Sequence, residues 1–359
     1  MSLRILMTLD AAGGVWRYAI DLAAALHARS HEVILAGLGP RPTAAQRAEA
    51  EAVGRLEWGE APLDWMAGDA SALEGVAPWL EELVRTYRPD VLHLNLPSQA
   101  AGLGDHPPVV TVCHSCLATW FRAVEVRSVP DRLSWLARLT RDGIDRAAVV
   151  LAPSAAHARL TEEVYGIGEV AVVPNASATA SLPPSEGDGS VVAAARWWDG
   201  AKNGTTLDRA AGQVEVPVVM IGACEGGEGS TFAARNAATT GALSHADTIA
   251  RIAGASLFAS PSIYEPFGLA ALEAARSGRP LLLADIPVYR EIWEGAARFF
   301  PPRDAEALAA EIDALAADPE ARLRLGAAAQ MRARDHIPAA QSAAMETVYL
   351  RTLSARAEG

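Results

Sequence analysis

Short apolar runs alternate along the chain with longer segments whose apolar positions recur at helical spacing. Leu3–Thr8 is the first run, a pattern suited to a strand buried on both faces. Asp10-Ala11-Ala12-Gly13-Gly14 then reads as a turn, and Trp16, Ile20, Leu22, Ala23 and Leu26 mark one face of a helix over Trp16–Arg29. Val33–Ala36 completes a strand–turn–helix–strand unit. Further strands are predicted at Val91–Asn95, Pro108–Cys113, Val149–Ala152 and Val170–Val173, with helices at Ala72–Tyr87 and Ala155–Tyr165. A second series follows, with strands at Val191–Ala195, Val216–Ile221, Leu257–Ser260 and Leu281–Ala284 and a helix at Thr248–Gly254. Repeated strand-then-helix spacing predicts parallel sheets with right-handed crossovers, an α/β architecture.

The two series imply two domains, since 359 residues exceed one ordinary core. Pro174–Gly189, rich in Pro, Ser, Ala and Gly and lacking periodicity, is the expected linker. Residues 1–173 and 190–337 are then the domains, with a helical tail over Asp304–Arg334 interrupted at Asp318-Pro319. A last helix is predicted at Ala339–Leu353, after Pro338. Residues 40–70 read as an irregular insertion with a helix near Ala44–Val53. Its Trp58 and Trp65 belong either to the core or to an acceptor site.

Charge and cysteine content narrow the class. A net charge of −12 leaves no basic excess for nucleic acid. No apolar run approaches the roughly 20 residues of a membrane helix, and the opening MSLRILMTLD lacks the plan of a signal peptide. Three cysteines, Cys113, Cys116 and Cys224, cannot staple a fold, so a reducing cytoplasm is the expected setting.

The chemistry concentrates in Ser260–Glu273, SPSIYEPFGLAALE. A strand ends at Pro261, and Pro266 stands where a helix is predicted to start, since the amide proline lacks would be unpaired there. The amides of Phe267, Gly268 and Leu269 would then be free donors at a positive helix end, and Gly268 lets an anion approach the backbone. Glu265 lies before this anion site, and Glu273 lies one turn beyond Leu269. Carboxylates on both sides suit a ligand that is part phosphate and part polyol. The plainer alternative is that Glu265 complements the helix dipole and Glu273 pairs with Arg276.

This E-P-F-G-L-x-x-L-E stretch resembles the E-x7-E signature of retaining GT-B glycosyltransferases, and the surrounding sequence looks like glycosyltransferase family 4. The resemblance implies two Rossmann-like domains with parallel sheets facing a central cleft. The nucleotide-sugar donor would bind in the C-terminal domain and the acceptor in the N-terminal one, with the final helix, 338–355, packing back on the latter. Arg196 and Lys202, after a strand in ARWWDGAKN, look like the family's Gly-Arg…Lys motif, whose cations meet the donor diphosphate. Ala195 replaces the usual Gly. His114, in C-H-S-C, matches a histidine that approaches the reacting sugar, and Glu291 matches a position orienting sugar hydroxyls or loops. Leu243 and Ser244 occupy the place where backbone meets the base.

The resemblance therefore implies a catalytic set of His114, Arg196, Lys202 and Glu265. Donor-binding residues would be Gly13, Gly14, Leu243, Ser244, Phe267, Gly268, Leu269, Glu273 and Glu291. Glu273 would hold the ribose, while Gly13 and Gly14 would let backbone approach phosphates or sugar, or else form a plain tight turn. A nicotinamide reading fails, because G-x-G-x-x-G is absent and Ala36-Gly37 stand where an acidic residue would close the second strand. D-x-D is also absent, so no metal and no cofactor are expected beyond a UDP- or GDP-linked sugar. Gly222–Thr231 lacks the lysine of a P-loop and reads as a flexible connection.

C-x-x-C at Cys113–Cys116 admits a zinc or redox reading. No second cysteine pair supplies further metal ligands, leaving only the distant Cys224, and a thioredoxin-like redox centre would need a small domain of its own around the motif. The two cysteines read instead as buried small residues at a strand end, with His114 the functional member or else a core histidine. Trp120–Arg146 mixes aromatic and basic side chains, including Trp120 and Arg122 as candidate acceptor contacts. Membrane contact is conceivable there, but a solvated helix face is favoured, since Asp131, Asp142 and Asp145 dilute the charge. The acceptor would be a glycan, small molecule or lipid-linked hydroxyl, and the reaction a metal-independent transfer with retention of configuration. Alternatives are another GT-B sugar-nucleotide enzyme, such as an epimerase or phosphorylase, or a non-catalytic nucleotide-sugar-binding subunit.

Overall fold

The computed structural model describes residues 2–104 and 107–358. The chain divides into two compact units, Met1–Ser177 with Pro338–Gly359, and Ala178–Ile337. In the first unit, β1 (Arg4–Asp10), β2 (Glu32–Leu38), β3 (Arg55–Trp58), β4 (Val91–Leu94), β5 (Val109–Val112), β6 (Val149–Ala152) and β7 (Ala171–Val172) form one sheet. Its order is β3-β2-β1-β4-β5-β6-β7, and every pairing is parallel. Ile5, Met7 and Leu9 of β1 face one apolar cluster and Leu6 faces another, so the central strand is covered on both sides. The first cluster takes Leu22 and Leu26 from the helix Gly14–Ala28 together with Met345 and Tyr349 from the helix Pro338–Glu358. Arg29 and His31 both reach Glu346, and Gln341 donates to the Pro174 carbonyl at 3.1 Å.

In the second unit, β8 (Val191–Ala194), β9 (Val218–Ile221), β10 (Ala238–Gly241), β11 (Leu257–Ser260), β12 (Leu281–Ala284) and β13 (Arg298–Phe300) form a second parallel sheet. Its order, β10-β9-β8-β11-β12-β13, is the doubly wound arrangement, with the direction of winding reversing between β8 and β11. Val191 pairs with Leu257 and Val192 with Phe258, so the segments following β8 and β11 emerge side by side at the carboxyl edge. Such edges are where open α/β sheets bind ligands.

The structure differs from the sequence reading at several points. Three further strands, β3, β10 and β13, are present. Trp58 in β3 belongs to the core: its ring lies where a Cβ on Gly37 would stand, and its Nε1 donates to the Gly39 carbonyl at 3.2 Å. Residues 178–189 of the expected linker belong to the second unit. Arg276 Nε donates to the Thr179 carbonyl at 2.5 Å, and Arg279, 1% exposed, donates to both the carbonyl and the hydroxyl of Ser185. Gly222–Thr231 is a small hairpin with an antiparallel bridge between Glu225 and Thr231, not a loose connection. Gly226 there lies against the Trp198 ring, leaving no room for a Cβ.

Candidate functional site

In the second unit, the segments after β8 and β11 are knitted together before any side chain meets a ligand. Asp199 accepts from the Ala201 amide at 2.9 Å and starts a single 3-10 turn, Gly200–Lys202. Asn203 follows at φ 52°, a left-handed conformation that asparagine tolerates better than most residues. Its Nδ2 donates to the Pro261 carbonyl at 3.0 Å and to the Pro302 carbonyl at 2.6 Å, tying the segments after β8, β11 and β13 together. The Ile263 amide donates to the Ala201 carbonyl at 2.9 Å. Sequence reasoning passed over Asn203; its signal was an asparagine directly after the basic residue of a post-strand turn.

This frame brings Lys202 and Glu265 together. Lys202 Nζ donates to Glu265 Oε2 at 2.6 Å, and both side chains are mostly buried, at 16% and 17% exposure. Arg196 extends from the end of β8 with its guanidinium 5.3 Å from the Trp198 ring centroid and 3.8 Å from Asp199 Oδ2. The two tryptophans of the motif divide their work. Trp197 is buried and donates to the Ile221 carbonyl at 3.0 Å, whereas Trp198 carries Arg196 on one side and meets Gly226.

The helix expected from Pro266 begins instead at Leu269 and runs to Arg276. Gly268, at φ 95°, is its N-cap, and no side chain caps it. Phe267 is 3% exposed and packs edge-on against His336, so the turn before the helix is folded inward rather than helical. A Cβ on Gly268 would lie 2.8 Å from Tyr289 Cε1, and Tyr289 is fixed beneath by a 2.6 Å hydrogen bond between its hydroxyl and Ser260 Oγ. The opening amides of this helix are thus left without a capping side chain, and Glu265 Cγ lies 3.5 Å from where a Cβ on Gly268 would stand. Glu273 is buried at 7% exposure and its Oε1 is 2.8 Å from His245 Nε2. Arg276, the pairing partner of the plainer reading, is turned away to Thr179. His245 had no signal in the sequence, since the two residues are far apart in the chain. Ser244 caps the helix His245–Gly254, accepting from the Asp247 amide at 3.1 Å, and Leu243 beside it is 39% exposed. Glu291 is exposed on the helix Pro287–Trp293, which also carries Tyr289.

The first unit gathers a separate polar cluster at the carboxyl edge of its own sheet. Asn95, following β4, donates from Nδ2 to the Thr8 carbonyl at 2.5 Å, which fixes Oδ1 as an acceptor. His114 Nε2 is 2.9 Å from that oxygen and must carry its proton, leaving Nδ1 with a lone pair. Asn95 Oδ1 also faces His93 Nε2 at 3.2 Å, so His93 Nδ1 accepts from the Tyr349 hydroxyl at 2.6 Å. Tyr18 stands edge-on to His114 with ring centroids 4.3 Å apart. Burial holds both imidazoles neutral, with the His93 pKa lowered to about 4 and that of His114 to about 3, the latter helped by neighbouring His93 and His157.

Gly13 caps the helix Gly14–Ala28 without a side-chain hydrogen bond, and Gly14 is exposed. Arg122 is engaged by Glu163, with Nη2 2.8 Å from Oε1, and Trp120 packs edge-on against Phe121. Of the expected pair of buried cysteines, Cys113 is fully buried but Cys116 is only half-buried. Among the described residues no group of three or more His, Cys, Asp or Glu could hold a metal ion. Among them, too, no helix is long and apolar enough to cross a membrane.

The two parallel-sheet α/β units have the GT-B fold of glycosyltransferases. The chain belongs to that class: residues 12–180 match Glycosyltransferase Family 4 and residues 230–332 match Glycosyl transferases group 1. It is 25% identical to a glycogen synthase of Mycobacterium tuberculosis over 89% of this chain and 86% of that protein. The sucrose-phosphate synthase of Thermosynechococcus elongatus superposes with a TM-score of 0.81 at 18% identity, covering 98% of this chain and 100% of that one. HepE of Anabaena in complex with UDP-glucose gives a TM-score of 0.73 at 18% identity, covering 98% and 100%.

Proposed function

We propose that the protein transfers a sugar from a nucleoside-diphosphate sugar to an acceptor hydroxyl, without a metal ion and with retention of anomeric configuration. The observation that carries this reading is the meeting, at one sheet edge, of Lys202 and Glu265 with the uncapped start of the helix Leu269–Arg276. That arrangement suits a diphosphate. The backbone amides and the Arg196 and Lys202 cations neutralise charge that grows on the leaving group as the glycosidic bond breaks. Glu273, oriented by His245, accepts hydrogen bonds from the ribose hydroxyls. Glu265 positions the sugar, and within the first unit His114 presents an Nδ1 lone pair that can accept from a hydroxyl. The UDP-glucose complex of HepE supports a nucleotide sugar as the donor class.

In the reaction the C–O bond from the anomeric carbon to the diphosphate breaks, and the acceptor oxygen bonds to the same face of that carbon. The acceptor proton passes to the departing phosphate oxygen, because no side chain of the second unit's site stands out as a nucleophile. The products are a glycoside and a nucleoside diphosphate. A panel of nucleotide sugars screened by thermal shift selects the donor, since a ligand favouring the native state raises the melting temperature. Acceptor-dependent release of nucleoside diphosphate then identifies a transferase. Release without acceptor, or epimerised donor, would overturn the proposal.

A further inference from the structure

The C-x-x-C motif is not absorbed by the donor site, and its surroundings are unlike those of an inert core cysteine. Cys116 Sγ receives the Tyr165 hydroxyl at 3.3 Å and the Thr119 amide at 3.5 Å, and Thr119 Oγ1 is 3.2 Å away. Cys113, directly after β5, is fully buried, and its sulfur is 3.9 Å from Thr161 Oγ1; Thr161 lies one turn before Tyr165 on the helix Ala155–Tyr165, so one helix face meets both sulfurs. Among the described residues, Cys224, in the second unit, meets no such set of donors; its sulfur is 3.9 Å from the Gly222 carbonyl.

We propose that Cys113 and Cys116 are an oxidisable thiol pair, Cys116 the attacking sulfur and Cys113 the resolving one, which hydroperoxides convert to a reversible disulfide. Donors converging on one half-buried sulfur favour its thiolate, and a buried thiol beside it supplies the second sulfur. The groups facing the pair agree. Tyr165 stays protonated because burial and the nearby sulfurs raise its pKa, so it remains a donor. Cys113 is pushed up by Cys116, by burial and by Asp64; burial also raises Cys116, but the interactions with Cys113, Thr119 and Tyr165 outweigh it and bring Cys116 down to about 6. His114 and His157 nearby are held neutral.

The step balances. The Cys116 thiolate attacks one peroxide oxygen, the O–O bond breaks, and an alkoxide or hydroxide leaves to be protonated, giving a sulfenic acid at Cys116. The Cys113 thiol then attacks that sulfur, an S–S bond forms and water leaves. Two thiols lose two electrons and the peroxide gains them. The new bond closes a ring through His114 and Ser115, so oxidation is felt at the histidine that Asn95 holds.

The test uses the intact protein and equimolar hydrogen peroxide, followed by mass spectrometry. The expected result is a loss of about 2 Da, mapped to a Cys113–Cys116 peptide and reversed by dithiothreitol. Iodoacetamide at neutral pH should modify Cys116 about tenfold faster than Cys224, and Tyr165→Phe should slow that reaction. In Cys113→Ala, Cys116 should be trapped by dimedone as the sulfenic acid. Oxidation or alkylation appearing first at Cys224, or Cys113 remaining alkylatable after peroxide, would overturn the proposal. These readouts do not depend on sugar transfer, so they stand apart from the proposed activity.

Discussion

At the scale of single residues, Lys202 and Glu265 are the pair on which the proposed chemistry turns. Lys202→Ala is expected to lower kcat by about 10²–10³, the range for losing one preorganised electrostatic group. The variant also leaves Glu265 without its 2.6 Å partner, so its melting curve must be measured alongside. An unchanged rate would remove Lys202 from the mechanism. Glu273→Ala should weaken nucleoside diphosphate binding by roughly tenfold, as for loss of a hydrogen bond to a charged group. Calorimetry returning wild-type affinity would contradict its role. Both cations and both carboxylates were legible in the sequence because post-strand position and spacing fix their place. The residues that hold them were not. His245 meets Glu273, and Asn203 meets Pro261 and Pro302, through contacts that only the folded chain creates.

At the scale of elements, the buried strands and the edge strand β7 were legible, whereas the other three edge strands, β3, β10 and β13, were not. Apolar runs such as Leu281–Ala284 announce a strand covered on both faces, whereas β10 reads Ala-Thr-Thr-Gly and is largely exposed. A strand with one wet side and no apolar run leaves no periodic mark. The start of the helix after β11 was misread for a related reason. Pro266 is compatible with a first helical turn, but the positive φ of Gly268 and the burial of Phe267 delay the helix to Leu269. Gly268→Ala is expected to cost about 1–3 kcal/mol, since it places a Cβ at left-handed φ against the Tyr289 ring. Gly254→Ala, a helical position with nothing within 4 Å of a new Cβ, is the matched control. Equal denaturation midpoints for the two would show that Gly268 is not under this constraint.

At the scale of the whole molecule, the two-unit division was readable from the change of strand series, but its bounds were not. Compositional softness at residues 178–189 hides two arginine anchors, Arg276 and Arg279, that fasten this stretch to the second unit. Stability should also follow pH through the neutral buried histidines. His93 binds its proton at about 4 in the folded state and near 6.5 when unfolded, so the unfolded chain takes up more protons between those values. Its contribution is complete above pH 6.5 and is lost as pH falls towards 4. Urea titrations should show stability declining through that window, with a shallower decline in His93→Gln; identical slopes would exclude His93. Transfer activity, in turn, should survive EDTA, and full loss restored by Mg²⁺ or Mn²⁺ would count against the metal-free reading.

The return of Pro338–Glu358 to the first unit bears on how the molecule is made. Tyr349, the partner of His93, is translated only after every residue of the second unit. The nascent amino-terminal lobe therefore lacks the cover that Met345 and Tyr349 add over Leu22, Leu26 and His93 while its successor is synthesised. A chaperone bound during that interval would be competing for the seat that Met345 and Tyr349 finally take.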